Sequence, residues 1–391
     1  MSKMIIQFGI PSLGQEEIDA ITEVIKSGWI GFGKKCLEFE SKFSQFTGAK
    51  FSKSVNSCTS ALHTSLKILG IKEGDEVLTT PLTFVATIRV IEFVGAKPVL
   101  VDIDPETFNI DPSKIEKAIT EKTRAIIPVH FGGMPCDMSS IFKIAKEKGL
   151  AVIEDAAHAT GAEFDGKKIG YSEQGLTCFS FYPNKNITTI EGGMITTSNE
   201  EYANRIDLIR MSGQSSGAWQ RYAQTGSYMV PEIVEEGYKY NMTDVNASVG
   251  IVQLSKLDDF LTTRERHAKI YDQVLGNFEH IKLQRRDIDG HQVRHALHFY
   301  PIVIKETDYK CSRESIIDQI REKGIGVVVH YKPIQDHSYF KNKYHFDLAS
   351  LKNSEYIGKN IISLSLGPAF KDGDIELAAN IILEVLKSNL K

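Results

Sequence analysis

Between residues 75 and 159 the chain alternates two hydrophobic rhythms. Short, nearly continuous apolar runs are DEVLTT (75–80), KPVLVDID (97–104), TRAIIPVHF (123–131) and LAVIEDAAHA (150–159). Between them, in TFVATIRVIEFVG (83–95), DPSKIEKAIT (111–120) and SSIFKIAKEKG (139–149), apolar residues return every third or fourth position. The first kind predicts strands buried on both faces and the second amphipathic helices, so together they predict βαβ units and a mostly parallel sheet covered by helices on each side. Such sheets bind ligands beyond the carboxyl ends of their strands. After about residue 250 the rhythm changes to a long charged helix (254–275), a strand LHFYPIVI (297–304), a helix (312–324), a strand GVVVHY (326–331) and a last helix (374–387). This predicts a large α/β unit over 1–250 and a smaller α+β unit over 251–391, with no Pro/Gly linker or internal repeat between them.

Composition narrows the classes. The 391 residues are 42% hydrophobic and 25% charged, ordinary for a globular chain. Lys plus Arg is 46 against 50 for Asp plus Glu, a net charge of −4, which leaves no electrostatic footprint for nucleic acid or an acidic membrane surface. Five scattered cysteines, Cys36, Cys58, Cys136, Cys178 and Cys311, show neither metal-ligand spacing nor a disulfide framework, so reduced thiols in the cytoplasm and no metal site are expected. The start, MSKMIIQFGIP, lacks the apolar stretch and small-residue cleavage site of a secretion signal, and no apolar run reaches a membrane span.

The predicted strand ends carry three groups. Asn56-Ser-Cys-Thr-Ser60 opens a helix that ends at Gly70, and a helix N-terminus offers free N–H groups to an anion. Hydroxyl residues cap helices everywhere, so this segment alone does not identify a phosphate seat. Glu154-Asp155 ends the run AVIED, pointing where a ligand would lie. In FSFYPNKNITT (179–189) a single lysine, Lys185, stands where an apolar run breaks into a polar turn, with Ser180 just before it. One cofactor needs all three: pyridoxal phosphate (PLP) takes a lysine amine for its Schiff base, a carboxylate for its ring nitrogen and an anion seat for its phosphate. GFGKKC (31–36) lacks the dinucleotide fingerprint and no phosphate-loop motif occurs, while Gly132-Gly133 and Gly192-Gly193 read as turn glycines with φ > 0.

VIEDAAHA, FSFYPNKNITTIEGGMITT, EGYKYNMTDVNASVGIVQL and NSCTSALH resemble the DegT-type sugar aminotransferases through nearly the whole chain. KNIT, EGG, GYKYNMTD and GIGVVVHY are most similar to members that aminate C4 of a UDP-linked keto sugar, such as UDP-4-amino-4-deoxy-L-arabinose aminotransferases. The resemblance implies the fold type I of PLP-dependent aminotransferases, with a mostly parallel seven-stranded sheet in the large domain and a smaller C-terminal α+β domain. It implies Lys185 as cofactor anchor and general acid/base, Asp155 on the ring nitrogen, and His158 beside the ring's 3′-oxygen. Thr59, Ser60 and Ser180 would seat the phosphate, Phe84 would stack on the ring, and Asn241 would serve the phosphate of a neighbouring subunit in a homodimer with shared sites. A branch of this fold that dehydrates sugars carries histidine at the position of Lys185, and Ile190 stands where small residues are common.

The implied reaction moves the amino group of L-glutamate to a nucleotide-linked keto sugar, releasing 2-oxoglutarate, in cell-surface polysaccharide biosynthesis. Arg221 and Trp219 in the polar segment 213–232 are candidates for the substrate's phosphate and base, and His298, His330 and Tyr331 for the neighbourhood of the sugar. Amination at C3 of a dTDP- or GDP-sugar, or a PLP-dependent dehydratase or lyase using the same lysine and aspartate, are the alternatives. A cofactor-dependent regulatory module would need a DNA-binding extension.

Overall fold

In the computed structural model, which describes residues 5–215, 230 and 232–391, seven strands form one sheet. Their order is Phe51–Val55, Gly193–Thr197, Leu176–Ser180, Ala151–Asp155, Thr123–Ile127, Glu76–Thr79 and Lys97–Leu100. Six run in one direction, and Gly193–Thr197 runs antiparallel to both its neighbours. The apolar runs are continuous because both faces are covered. Val77, Ile127 and Ile153 enter a core on one side with Leu62 and Leu66 of the helix Cys58–Ile68, while Leu78, Ile126 and Val152 enter a separate core on the other side with Ile141 of the helix Met138–Lys148. Successive strand residues therefore alternate between two interiors, and each fully buried aliphatic side chain contributes about 1.5–3 kcal/mol.

Helix ends follow local chemistry. Ser57, Asp111 and Asp137 cap the helices Cys58–Ile68, Pro112–Ala118 and Met138–Lys148 by accepting backbone N–H bonds, and Gly149 ends the last in the left-handed conformation at φ +66°. The helix predicted over 83–95 is shorter, Val85–Phe93, with Phe84 as its extended N-cap residue.

Four antiparallel strands form the C-terminal sheet, in the order Ile281–Leu283, Tyr300–Ile304, Ile361–Leu364 and Val327–Val328. The helices Leu257–Leu275, Arg313–Glu322 and Asp372–Ser388 share one core with it, built around Tyr271, Ile302, Ile320 and Ile382. Ile6 belongs to this core too, through a bridge to Ile325, and residue 250 lies inside the helix Asp244–Ser255. Only Val327–Val328 of the expected strand 326–331 is regular, and the chain from Val329 to Lys332 leaves the sheet for the site described next. Among the described residues no helix is long and apolar enough to cross a membrane.

Candidate active site

Beyond the carboxyl ends of the central strands lies a cavity of about 750 Å³. Asp155 closes the strand Ala151–Asp155 at its floor, buried to 5% exposure. Its Oδ2 accepts from Thr87 Oγ1 at 2.8 Å and its Oδ1 from the backbone N–H of Ala157 at 3.1 Å. Thr87 lies one turn along the helix from Phe84 and is itself joined to Thr83 by a 2.8 Å hydroxyl bond. Burial raises the Asp155 carboxyl above its usual value, against the Thr87 and Ala157 bonds, and among the described residues it has no ion-pair partner. Glu154, expected beside it, faces the opposite way, as the strand's two-residue period requires: its carboxylate accepts from Thr177 Oγ1 at 2.8 Å and meets His130 Nε2 at 3.1 Å.

Lys185 reaches the same floor from the turn after Leu176–Ser180, which its own backbone closes by donating to Tyr182 O at 2.9 Å. Burial pushes its amine down to about 8, held from falling further by Cys58 and Asp155. At pH 7 roughly one such amine in ten is unprotonated, against fewer than about one in a thousand for an exposed lysine. Asn186, next in sequence, anchors the turn through Nδ2 to Ala296 O at 2.8 Å.

The third group is the start of the helix Cys58–Ile68. Ser57 Oγ accepts the Ser60 N–H at 3.1 Å, which leaves the backbone N–H groups of Cys58 and Thr59 without acceptors among the described residues. Ser57, Cys58, Thr59 and Ser180 line the cavity. Ser60 does not: its hydroxyl lies 2.7 Å from both Asn56 Oδ1 and Ser57 O, and its one proton is held between these two acceptors, so it builds the cap that presents the turn. Gly192 and Gly193 have no positive φ, contrary to expectation. They are small because a Cβ on Gly193 would lie 2.6 Å from the Ser57 carbonyl, and one on Gly192 2.1 Å from Thr189 Oγ1. The left-handed residue is Ile190, at φ +71° and 47% exposed, its N–H bonded to Thr188 Oγ1. Gly132 and Gly133 do turn at positive φ, +64° and +97°.

On the cavity's other wall, His158, His330, Tyr331 and the 57%-exposed Phe84 gather. The Phe84 ring stands 6.2 Å from that of Tyr331, and His330 stacks on Phe299 at 4.4 Å. Burial drives His330 down to about 3 and His158 well below the usual imidazole value, with the Lys185 charge adding to both, so both rings are neutral. His298 is not at the cavity surface. It stacks behind His158 at 4.6 Å with neither ring nitrogen bonded among the described residues. Asn241 does not line its own chain's cavity either; its backbone bridges Val55 and its amide donates to Met242 O at 3.0 Å. Arg221 and Trp219 lie outside the described residues. The sequence reading missed Thr87, Asn184, Glu191, Lys332 and His337, of which all but Thr87 bring polar groups from turns; Lys332 and His337 sit in YKPIQDH directly after the last strand residues singled out.

These features fit PLP. A buried carboxylate without a cation suits a protonated ring nitrogen, a desolvated amine suits covalent capture of an aldehyde, and unpaired amides at a helix start suit a phosphate.

Comparison with known proteins agrees. The model of the DegT/DnrJ/EryC1/StrS aminotransferase family matches residues 11–382. The chain is 47% identical to the uncharacterized protein MJ1066 of Methanocaldococcus jannaschii over 97% of each chain. It is 40% identical to the spore coat polysaccharide biosynthesis protein SpsC of Bacillus subtilis, over 98% of this chain and 97% of that one. Among solved structures, Spr1654 of Streptococcus pneumoniae, assigned as a sugar aminotransferase, superposes in its PMP form with a TM-score of 0.90 at 31% identity, covering 98% of this chain and 99% of that one. A PLP form of the same protein gives 0.89.

Proposed function

We propose that this chain, which belongs to the DegT/DnrJ/EryC1/StrS aminotransferase family and is a PLP-dependent sugar aminotransferase, moves the amino group of L-glutamate to the C4 ketone of a nucleotide-linked sugar, most simply a UDP-sugar. The observation that carries the reading is a single desolvated lysine amine facing a buried, unpaired aspartate across one cavity.

Bound PLP would supply an aldehyde carbon able to take up and release the amino group and a ring that draws electrons from the reacting carbon. Lys185 would hold it through Nζ and, with its amine free, would take and return the proton at the reacting carbon. Asp155, oriented by Thr87 and the Ala157 amide, would face the ring nitrogen. The Cys58 and Thr59 amides, with Ser180, would receive the phosphate, and Phe84 would cover the ring. The exposed Lys332 and the neighbouring His337 add polar groups at the rim, where the anionic nucleotide diphosphate would enter.

The same reading includes a homodimer with shared sites, in which Asn241 serves the partner's phosphate seat; its absence from its own cavity supports this. It also includes a large PLP-binding α/β unit over 1–250 and a smaller C-terminal α+β unit over 251–391, and a cytoplasmic location, supported by five free cysteines. Products from glutamate and a panel of UDP-, dTDP- and GDP-linked 3- and 4-keto sugars, identified by mass spectrometry, test it. A 4-amino UDP-sugar is expected, and amination confined to C3 would overturn the positional assignment. Mixed dimers of Lys185→Ala with Asn241→Asp test the shared site: activity should return on mixing two nearly inactive homodimers, and no recovery would place Asn241 within its own subunit's site.

A further inference from the structure

The hydrogen bonds of His158 fix more than its position. Its Nδ1 accepts the backbone N–H of Gly132 at 3.3 Å, and a backbone amide can only donate. The neutral ring must therefore carry its proton on Nε2, which lies 3.0 Å from the Tyr331 hydroxyl oxygen. Tyr331 consequently accepts from His158, and its own proton has to go elsewhere. No other side-chain partner of that hydroxyl occurs among the described residues, and Tyr331 lines the cavity. Two further buried histidines follow the same rule: Cys136 N–H pins Nδ1 of His130 at 3.0 Å while Nε2 faces Glu154, and Leu297 N–H pins Nδ1 of His295 at 2.8 Å while Nε2 faces Gln284 Oε1. The amide that pins His158 is presented by the Gly132-Gly133 turn, where a Cβ on Gly133 would lie 2.8 Å from the His158 carbonyl oxygen.

We infer that Tyr331 is a one-way hydrogen-bond donor into the cavity, to an oxygen acceptor on what binds beside Lys185, and that His158 is the positioning residue that sets this direction. This rests on the PLP aminotransferase reading and alters one part of it. The resemblance places His158 beside the cofactor's ring oxygen, but its Nε2 proton is already engaged by Tyr331, so the group that meets a ligand oxygen is the phenol. Two ligand oxygens share the required chemistry, the ring oxygen of the cofactor and the carbonyl or hydroxyl oxygen of the keto sugar. Burial together with the Asp155 charge raises the phenol above its usual value, which keeps the proton on the donor.

Histidine 15N spectra of the cofactor-free protein at pH 7, with the His158 signals assigned by their loss in His158→Gln, should show a pyridine-like Nδ1 and a pyrrole-like Nε2. A protonated Nδ1 overturns the inference whatever the enzyme's substrate proves to be. In the holoenzyme, the glutamate and keto-sugar half-reactions are followed separately by the cofactor's absorbance. Tyr331→Phe should slow by about tenfold the sugar half-reaction alone if the acceptor is the sugar oxygen. If the acceptor is the ring oxygen, both half-reactions should slow and the absorption band should shift. Unchanged spectra with both half-reactions within about twofold of wild type overturn the assignment. His158→Gln, whose amide N–H can replace the donor, should retain most activity. His158→Leu should resemble Tyr331→Phe, and the double variant should be no slower than either, whereas fully additive losses would show that the two residues act independently. Should no keto sugar be aminated, the proposed function fails while the 15N spectra and the glutamate half-reaction still decide this inference.

Discussion

The floor and the rim of the cavity are held in place by different means. Asp155, Ser180 and the Ser57–Thr59 turn stand at the ends of strands and a helix whose residues are buried on both sides, so the hydrogen-bonded ladder fixes where their side chains start. Glu191, Val329 to Lys332 and His337 stand on chain that has left regular structure and is positioned by a few individual contacts, such as His337 Nε2 to Lys332 O at 3.3 Å. A ladder restrains many residues together, whereas a single contact yields when one partner changes. The floor therefore suits chemistry that tolerates little displacement, and the rim suits recognition that differs between relatives.

The largest break should come on the floor. Lys185→Ala is expected to lower amino transfer at least about 10⁴-fold in a steady-state assay while the protein still folds. Borohydride reduction of the wild type should leave the cofactor on the peptide containing Lys185, and label on another lysine would remove this residue from its role. Asp155→Asn comes next, with turnover down by about 10²–10³-fold and glutamate affinity little changed, because a neutral amide cannot hold a proton on the ring nitrogen. Turnover near wild type would reduce Asp155 to a capping residue. Thr87→Val, which removes one of the two bonds holding that carboxylate, should cost about tenfold in turnover and leave thermal stability within about 1 kcal/mol. The smallest effect is one of pH. Capture of PLP by the apoprotein needs the free amine, so its rate should rise through a midpoint near 8, and a midpoint near 10 would show an amine in contact with water.

The same division decided what could be read in the sequence. Four strands of the large sheet, 76–79, 97–100, 123–127 and 151–155, were legible as continuous apolar runs because two cores bury them, and Asp155 followed at the end of one. Phe51–Val55 and Gly193–Thr197 were missed because their Ser, Lys, Gly and Thr residues break any apolar run. Glu154 was misdirected because a run buried on both faces carries no alternation to show which neighbour faces the ligand. Ser60 was misassigned because a capping hydroxyl and a phosphate-binding hydroxyl look alike in a string of Ser and Thr, and only the bonds to Asn56 and Ser57 separate them. Gly192 and Gly193 were legible as special but for the wrong reason: lack of room and need for positive φ both select glycine. Lys332, His337 and Glu191 had no periodicity to declare them, and Thr87 looked like one more position on an apolar helix until its bond to Asp155 was seen.

Ile190 departs from the usual match of residue to backbone. A β-branched side chain in the left-handed region costs about 1–3 kcal/mol, and nearly half of this one is exposed, so little burial offsets the cost. Ile190→Asn, compatible with that conformation and free of glycine's entropy, is expected to raise Tm by about 1–3 °C. Thermostability would then be available at a single surface position, five residues past the lysine and beside Glu191 and Gly192 of the cavity wall. If the more stable variant also handles its sugar less well, that position marks where heat resistance and substrate choice compete in this enzyme, and a library built there would move along that trade-off one residue at a time.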